Sequence, residues 1–438
     1  MDVVMLSRIQ FGLAAGVHFI FPSLTLGLTL LVFLLEYKFY KTNDELFKTV
    51  SSFFIKMLGL VFALGVATGI VLEFSFGTNW AEYSRMVGDI FGAPLAAEGI
   101  FAFFLESVFL GVLLFARNKI SKKMYLVSAF LVFFGAHLSG LWIIIANSWM
   151  QTPAGFAIEG GRAVLTDFCA AALNPSTLVR YAHVIIAGWI SGSLFAAGVA
   201  AWYLIKQHHT KEAQTILKTA IIIFCIMSLV QFVSGHIHSV QVTNLQPEKM
   251  ATFEALWQTQ QGAPMSIIGI PVESEKKTYF EIKIPKLLSL LAYFDPDALV
   301  KGRDAFPDDE LPPVLLPYFS YHIMIGLGSL FALISFIAIV LLLTKKLFTA
   351  KWFWYVLVVA IPLPIIANEF GWIAAEVGRQ PWAVYKVLKT VDAVSTIVPA
   401  THVLLSLIIF SFIYLLLVVL FTTILFKIIK KGPQAPSY

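Results

Sequence analysis

Charge is what this sequence has least of. Only 13% of its 438 residues are Asp, Glu, Lys or Arg, against roughly 25% in an ordinary soluble domain. That shortage excludes a soluble enzyme, a disordered chain and a nucleic-acid binder. Cysteine is scarce too. Cys169 in a loop and Cys225 in an apolar run are the only two. They are expected to stay free, and two thiolates cannot hold an iron–sulfur cluster, which needs about four. No internal repeat is visible, so the inverted-repeat pattern of many transporters lacks support. The net charge of +5 is spread over loops and does not indicate an anionic partner. What abounds is apolar: 58% of residues are hydrophobic, 14% are aromatic, 39 are Phe, and the mean hydropathy is +0.82.

A membrane-crossing helix needs about 20 mostly apolar residues. Nine runs qualify, at 11–36, 53–75, 95–116, 124–147, 180–205, 216–238, 318–344, 352–376 and 400–426. The first is no cleavable signal peptide, because it lacks a small-residue cleavage site and contains His18 and Pro22. The expected fold is an all-α integral membrane protein, one membrane domain over residues 1–438. Its orientation follows from the basic residues of the short loops. Loops 1–2, 3–4, 5–6 and 7–8 and the tail carry 17 Lys and Arg, among them Lys41, Arg117, Lys206, Lys346 and Lys430. The opposite side carries 7 outside the one long connection. The N-terminus is therefore expected outside and the C-terminus inside. The long connection, 239–317 between runs 6 and 7, falls outside with eleven acids, seven bases and nine prolines. A structureless connection of that length in a compact protein is usually functional.

Ionisable groups inside a membrane are costly and by default functional. His18, Glu98, His183, His236, His238, His322, Met324, Glu369, Glu376 and His402 all fall in the outer half of their runs. Glu106 lies near the middle of run 3 and His137 in the middle of run 4. The inner half is expected to be apolar apart from its Lys-rich loops. On a regular α-helix Glu98 and Glu106 stand about 12 Å apart along the axis and about 80° apart around it. That serves one vertical path but not one metal. Taken singly, Lys249 and Glu254 in the long connection read as solvated surface, and His238 and His402 as interfacial polar residues.

Haem iron accepts His, and a His/Met pair makes a low-spin electron-transfer centre. Reduction of dioxygen in a dry site also needs protons, which intramembrane carboxylates deliver. Other haem architectures fit poorly. No histidine has a partner 13 or 14 residues away in its own run, as bis-His cytochromes require, and the His236/His238 pair cannot supply a copper triad. An ion-coupled transporter with a Glu/His proton relay would explain the carboxylates but not the clustering of His and Met. A haem b electron-transfer subunit without oxygen chemistry is a third class.

Several strings then point one way. They are Gly378-Arg379-Gln380-Pro381-Trp382 preceded by Trp372 and Glu376, Gly77-Thr-Asn-Trp80, and Gly88-Asp-Ile-Phe-Gly-Ala-Pro-Leu-Ala-Ala-Glu-Gly99. Ala102-Phe-Phe-Leu-Glu-Ser107, Ala146-Asn-Ser-Trp-Met-Gln-Thr-Pro153 and Ser7-Arg8-Ile9-Gln10-Phe11 complete the set. From about residue 5 to 430 the chain resembles subunit I of cytochrome bd-type quinol oxidases, in the short quinol-loop branch.

The resemblance implies three haems near the outer face. His183 and Met324 would ligate the low-spin haem b. His18 and Glu376 would each ligate a high-spin haem, one of b type and one haem d, or a b haem in its place. Trp372, Arg8 and Arg379 would line these groups, Arg379 beside propionates. Glu98 would stand beside the His18-side haem, and Glu106 with Ser107 and Ser139 would lead protons up from the inside. Lys249 and Glu254 would serve quinol in the 239–317 loop. Two departures stand out: His322 where well-known members carry Arg, and His137 where a smaller polar residue is expected. The implied activity is oxidation of quinol outside and reduction of dioxygen to water with cytoplasmic protons, without pumping. The implied partners are subunit II, a small single-span accessory subunit and membrane lipid, in a bacterial cytoplasmic (inner) membrane.

Overall fold

The computed structural model describes residues 2–434. Among them, nine helices are long and apolar enough to cross a membrane: Val3–Thr42, Glu45–Gly77, Ala81–Phe115, Lys122–Gln151, Thr177–Lys206, Thr210–Leu245, Leu315–Leu343, Lys351–Val377 and Ala400–Lys431. They are called spans 1 to 9 below. Each matches one expected run, and most extend beyond it. At 1.5 Å per residue the 36 residues of span 6 reach about 54 Å, well past a hydrocarbon core of roughly 30 Å. The apolar pattern marks the part in lipid; the helix continues as far as its backbone stays hydrogen-bonded.

Two spans are interrupted in ways the runs did not show. Span 3 is α-helical over Ala81–Ala97, π-helical over Glu98–Phe103 and α-helical again over Phe104–Phe115. Pro94 lies just before the change and removes one backbone donor. The wider π turn means that Glu98 and Glu106 do not keep the spacing of a regular α-helix. Such segments recur at functional sites. Span 8 breaks between Lys351–Val359 and Leu363–Val377, at the prolines 362 and 364.

Span 5 is the most enclosed, with 78% of its apolar window buried, and span 9 the least, with 11%. The large apolar core joins Leu28, Leu35, Phe54, Leu58, Ala197, Phe224 and Phe353. It fills the half of the bundle away from the long connection, as the outward bias of the polar groups requires. Spans 1 and 5 touch through glycines. A Cβ on Gly192 would fall 2.5 Å from the Gly27 backbone, and one on Gly27 would fall 2.5 Å from the Gly188 oxygen. Without a hydrophobic drive between helices in lipid, small residues that admit backbone contact are a main source of association.

The long connection is not structureless. After span 6 it forms a short helix at Pro247–Phe253, a hairpin of Met265–Val272 with Lys277–Ile284, and a helix at Leu287–Tyr293. Gln260–Gln261 pairs with Leu299–Val300. The prolines that mark it as a loop act here as boundaries between short elements.

Gly192→Ala is expected to lower the thermal midpoint of the purified protein, by roughly 1–3 kcal/mol of overpacking, although Ala is the better helix former by about 1 kcal/mol. Gly12→Ala, with nothing within 4 Å of the new methyl, is expected to leave the midpoint unchanged or raise it. Equal midpoints for the two variants would refute the close crossing.

Candidate functional site

The end of span 8 carries the most densely connected polar group. Glu369, Trp372 and Glu376 are three or four residues apart and share one helix face. The carboxylate of Glu376 accepts from Arg379, which follows it by three residues, from Asn147 at 3.2 Å and from Gln151 at 3.3 Å. Arg180 of span 5 stands 3.9 Å away. It donates to Ser148 Oγ at 3.1 Å and lies over the Trp372 ring at 5.7 Å. Lys249 reaches down from the long connection and donates to Gln151 at 2.7 Å and Gln246 at 3.0 Å. Gln246 in turn donates to the Gln151 carbonyl. Gly378 makes room for this. A Cβ there would lie 3.1 Å from the Lys249 side chain and 2.8 Å from the Phe253 ring.

Three buried cations therefore converge on one carboxylate. Glu248, on the far side of Lys249, is turned to Tyr385. Burial drives the Lys249 ammonium well below its ordinary range; Glu376 opposes the shift, and Arg180 and Arg379 add to it. Arg379 Nη1 is buried without an acceptor. Positive charge out of water requires a counter-charge, and a guanidinium is suited to carboxylates. Glu376 itself keeps 32% of its side chain exposed.

The other candidate ligands are placed one per span rather than clustered. Among the described residues, no three His, Cys, Asp or Glu converge as a metal site. His18 Nδ1 lies 3.0 Å from Thr68 Oγ, and that hydroxyl donates to the Leu64 carbonyl at 2.8 Å. The hydroxyl proton is thus committed, so Nδ1 donates and the Nε2 lone pair is left for a metal. Gly69 lets the ring lie against span 2, where a Cβ would come within 3.1 Å of it. His183 faces span 6, with Ser234 Oγ 3.3 Å from Nδ1 and Gln231 Nε2 3.1 Å from Nε2. Its ring also meets His238 at 5.2 Å. Met324 sets its sulfur against Gly371 of span 8, where a Cβ would fall 3.0 Å away. His18, His183, Met324 and Glu376 are all half-buried. Single, partly open ligands suit metals held by a macrocycle, and the cation cluster suits its acid substituents.

Phe19, next to His18, packs edge-on against Trp372 at 5.2 Å. Arg8 is half-buried near the start of span 1, and among the described residues no ion pair joins it to the Glu376 group. Glu98 accepts from Ser139 at 2.8 Å. Ser139 thus serves Glu98 rather than Glu106. Ser107 donates to the Phe104 carbonyl of its own helix at 3.2 Å and supports neither carboxylate. Glu106 is 6% exposed, lies against Gly135, and its Oε1 has no partner. His137 is a satisfied histidine. Trp189 donates to its Nε2 at 2.9 Å, which leaves Nδ1 to donate to the Phe133 carbonyl at 2.7 Å.

The long connection buries the two residues that looked solvated. Lys249 is 4% exposed and Glu254 3%. They do not pair with each other. Glu254 accepts from the Ser266 amide at 3.0 Å, while Ser266 Oγ meets the Tyr318 hydroxyl at 2.8 Å. His322 lies 2.8 Å from the Tyr318 and Ser266 carbonyls, so this chain ties the loop to span 7 with an imidazole. The sequence reading missed Arg180, counted only as loop charge although it precedes His183 by three residues, and missed Asn147 and Gln151, which it quoted only as parts of a string.

Burial pushes the Glu254 carboxyl up to about 8, against the Ser266 amide, which favours its charged form. A carboxyl raised above its unfolded value near 4.5 stabilises the fold most fully below that value. The contribution is lost as pH climbs towards 8. Relative to Glu254→Gln, the native protein is expected to lose thermal stability between pH 5 and 8, by an amount on the order of a few kcal/mol. Parallel melting curves across that interval would show that Glu254 does not titrate there.

Comparison with known proteins is consistent with this geometry. The model of the cytochrome bd terminal oxidase subunit I family matches residues 6–433. Cytochrome bd ubiquinol oxidase subunit 1 of Bacillus subtilis is 37% identical, over 100% of this chain and 96% of its own. Cytochrome bd-II ubiquinol oxidase subunit 1 of Escherichia coli is 34% identical, over 99% of this chain and 98% of its own. The structure of bd oxidase from Geobacillus thermodenitrificans superposes with a TM-score of 0.92 at 29% identity, covering 99% of both chains. With its nine apolar spans and these matches over nearly its whole length, the chain belongs to the cytochrome bd terminal oxidase subunit I family and is a multi-pass membrane subunit of a bd-type quinol oxidase.

Proposed function

We propose that this subunit oxidises quinol at the face of the long connection and passes the electrons to dioxygen, which is reduced to water with protons drawn from the opposite, cytoplasmic side. The observation that carries the reading is the convergence of Arg180, Lys249 and Arg379 on Glu376, with Arg379 Nη1 lacking an acceptor. The haems expected of the family would be held by single residues: His183 and Met324 as ligands of a low-spin b haem, His18 and Glu376 as ligands of two high-spin haems, one of b type and one haem d or a further b haem. Bound haem supplies one-electron transfer and a site for dioxygen. Arg379 and Arg180 would hold its acid groups, since an arginine stays charged when buried. Thr68 fixes the His18 tautomer, and Trp372 with Phe19 walls the space between spans 1 and 8.

Four electrons and four protons convert one dioxygen to two waters, so two quinols are consumed and four protons are released at the quinol side. Lys249 and Glu254, fixed by Gln151 and Ser266, are the groups proposed to meet quinol. Glu106 and then Glu98, held by Ser139, are proposed to carry protons inward from the cytoplasm. Electrons and protons arriving from opposite sides charge the membrane without pumping. Subunit II and a small single-span subunit complete the assembly.

Glu106→Gln is expected to keep the reduced-minus-oxidised haem spectrum and lose oxygen uptake, by about 10²-fold or more, the contribution of a positioned proton donor. Normal uptake would remove Glu106 from the path. His183→Ala is expected to abolish the low-spin b signal alone. A carbon monoxide difference spectrum of the native complex reads the third haem, with a shifted far-red band for haem d and b-type bands only for a haem-b variant. Absence of any haem from assembled protein would reject the oxidase reading and promote the proton-coupled transporter.

A further inference from the structure

The hairpin of the long connection is built inside out. Its inward face is polar: Ser266, Thr278 and Glu281 face Tyr318, Trp257 and Gly269. Its outward face is apolar: Ile268, Ile270 and Ile282 are exposed, and Phe280, set outward at a left-handed bulge position, is 84% exposed. The neighbouring helix Leu287–Tyr293 adds exposed Leu290 and Leu291, followed by Phe294, 72% exposed. A hairpin facing water shows the reverse alternation, and a contiguous exposed apolar surface marks an interaction site.

Its level in the molecule identifies the partner. At one end Glu273 accepts from the Val314 amide, just before span 7 begins, and pairs with Arg303. Ser266, at the other end, bonds to His322, seven residues into span 7 and thus about 10 Å below its start. The hairpin therefore runs down the first two turns of span 7, with its charged turn, Glu273 to Lys277, at the outer end. Phe294 meets the ring of His236 at 5.4 Å, within the apolar run of span 6 and nine residues before that helix ends. Two elements anchored on different spans thus place one apolar surface at membrane-boundary depth, continuous with the lipid-facing sides of spans 6 and 7.

We propose that this surface is a monotopic membrane contact: Ile268, Ile270, Phe280, Ile282 and Phe294 sit in the headgroup–acyl boundary of the leaflet on the side of the long connection. Aromatic residues favour that zone, and elements with one apolar face bind there by the area they bury. Lys286, exposed and paired with Asp297, extends its charged end towards the headgroups.

The test uses the complete oxidase in phosphatidylcholine–phosphatidylglycerol nanodiscs, oxidised and without quinol. A nitroxide is attached at Phe280→Cys in a Cys169→Ser background; Cys225 is buried. Power saturation compares collision with oxygen and with a polar nickel chelate, using Glu159→Cys in the exposed 156–165 hairpin as the water-facing reference. Lipid contact gives an oxygen-to-nickel ratio severalfold above the reference. A ratio equal to the reference means that the face meets water and overturns the proposal. Exclusion of both reagents means that another subunit covers it and overturns the proposal equally. Ile268→Cys and Ile282→Cys report on the same face if the Phe280 variant does not assemble, and an unchanged haem spectrum checks each variant. The readout is independent of turnover, so it stands or falls apart from the quinol chemistry.

Discussion

Charge removed from water must be matched, and this constraint organises the loop-side half of the molecule. The Glu376 carboxylate draws Arg379 from its own helix end, Arg180 from span 5 and Asn147 and Gln151 from span 4. Lys249 joins through Gln151. Removing one member of such a group leaves the others buried and uncompensated, a cost of about 3–5 kcal/mol for a buried pair. The same group that prepares an anion site therefore also clamps the long connection to the bundle. Function and fold draw on one set of contacts.

A second consequence is the division of the bundle into two halves. Ionisable side chains gather on the loop side, where haem acid groups and loop residues can answer them. The other half is filled mainly by Leu, Phe and Ala around Leu28, Phe54 and Phe224, and there the buried charges of Glu36 and Arg117 match each other. Glu106 stands at the border, buried and with an unpartnered oxygen, while Glu98 lies above it with a defined donor in Ser139. The π segment between them breaks the regular phase of span 3 just where two carboxylates must address different neighbours.

The long connection uses the membrane differently from the spans. Its interior is a polar network through Glu254, Ser266, Tyr318 and His322, and the outward face of its hairpin is apolar. Polar groups are hidden with partners and apolar ones turned outward. In water that arrangement would expose a large apolar patch at a cost of about 25 cal/mol per Å²; at a bilayer boundary the same patch is solvated by lipid.

Much of this is legible in the amino-acid sequence. The nine spans follow from length and hydropathy, because a chain crossing lipid must satisfy its backbone internally and cover it with about 20 apolar residues. The loop-side bias of His18, His183, Met324 and Glu376 follows from where each falls within its run. What sequence alone did not decide was direction and partnership. That Ser139 serves Glu98, that Ser107 turns to its own backbone, that His137 is satisfied by Trp189 and that Lys249 is buried all depend on which helix lies beside which. Arg180 reads as a loop charge until span 5 is packed against spans 4 and 8. The π turn of span 3 and the break in span 8 were hidden because hydropathy measures transfer to lipid, which barely changes with local backbone winding. Composition determined that the chain lives in a membrane; only tertiary packing, by bringing side chains from distant spans within 4 Å of one another, decided which of its charges act together.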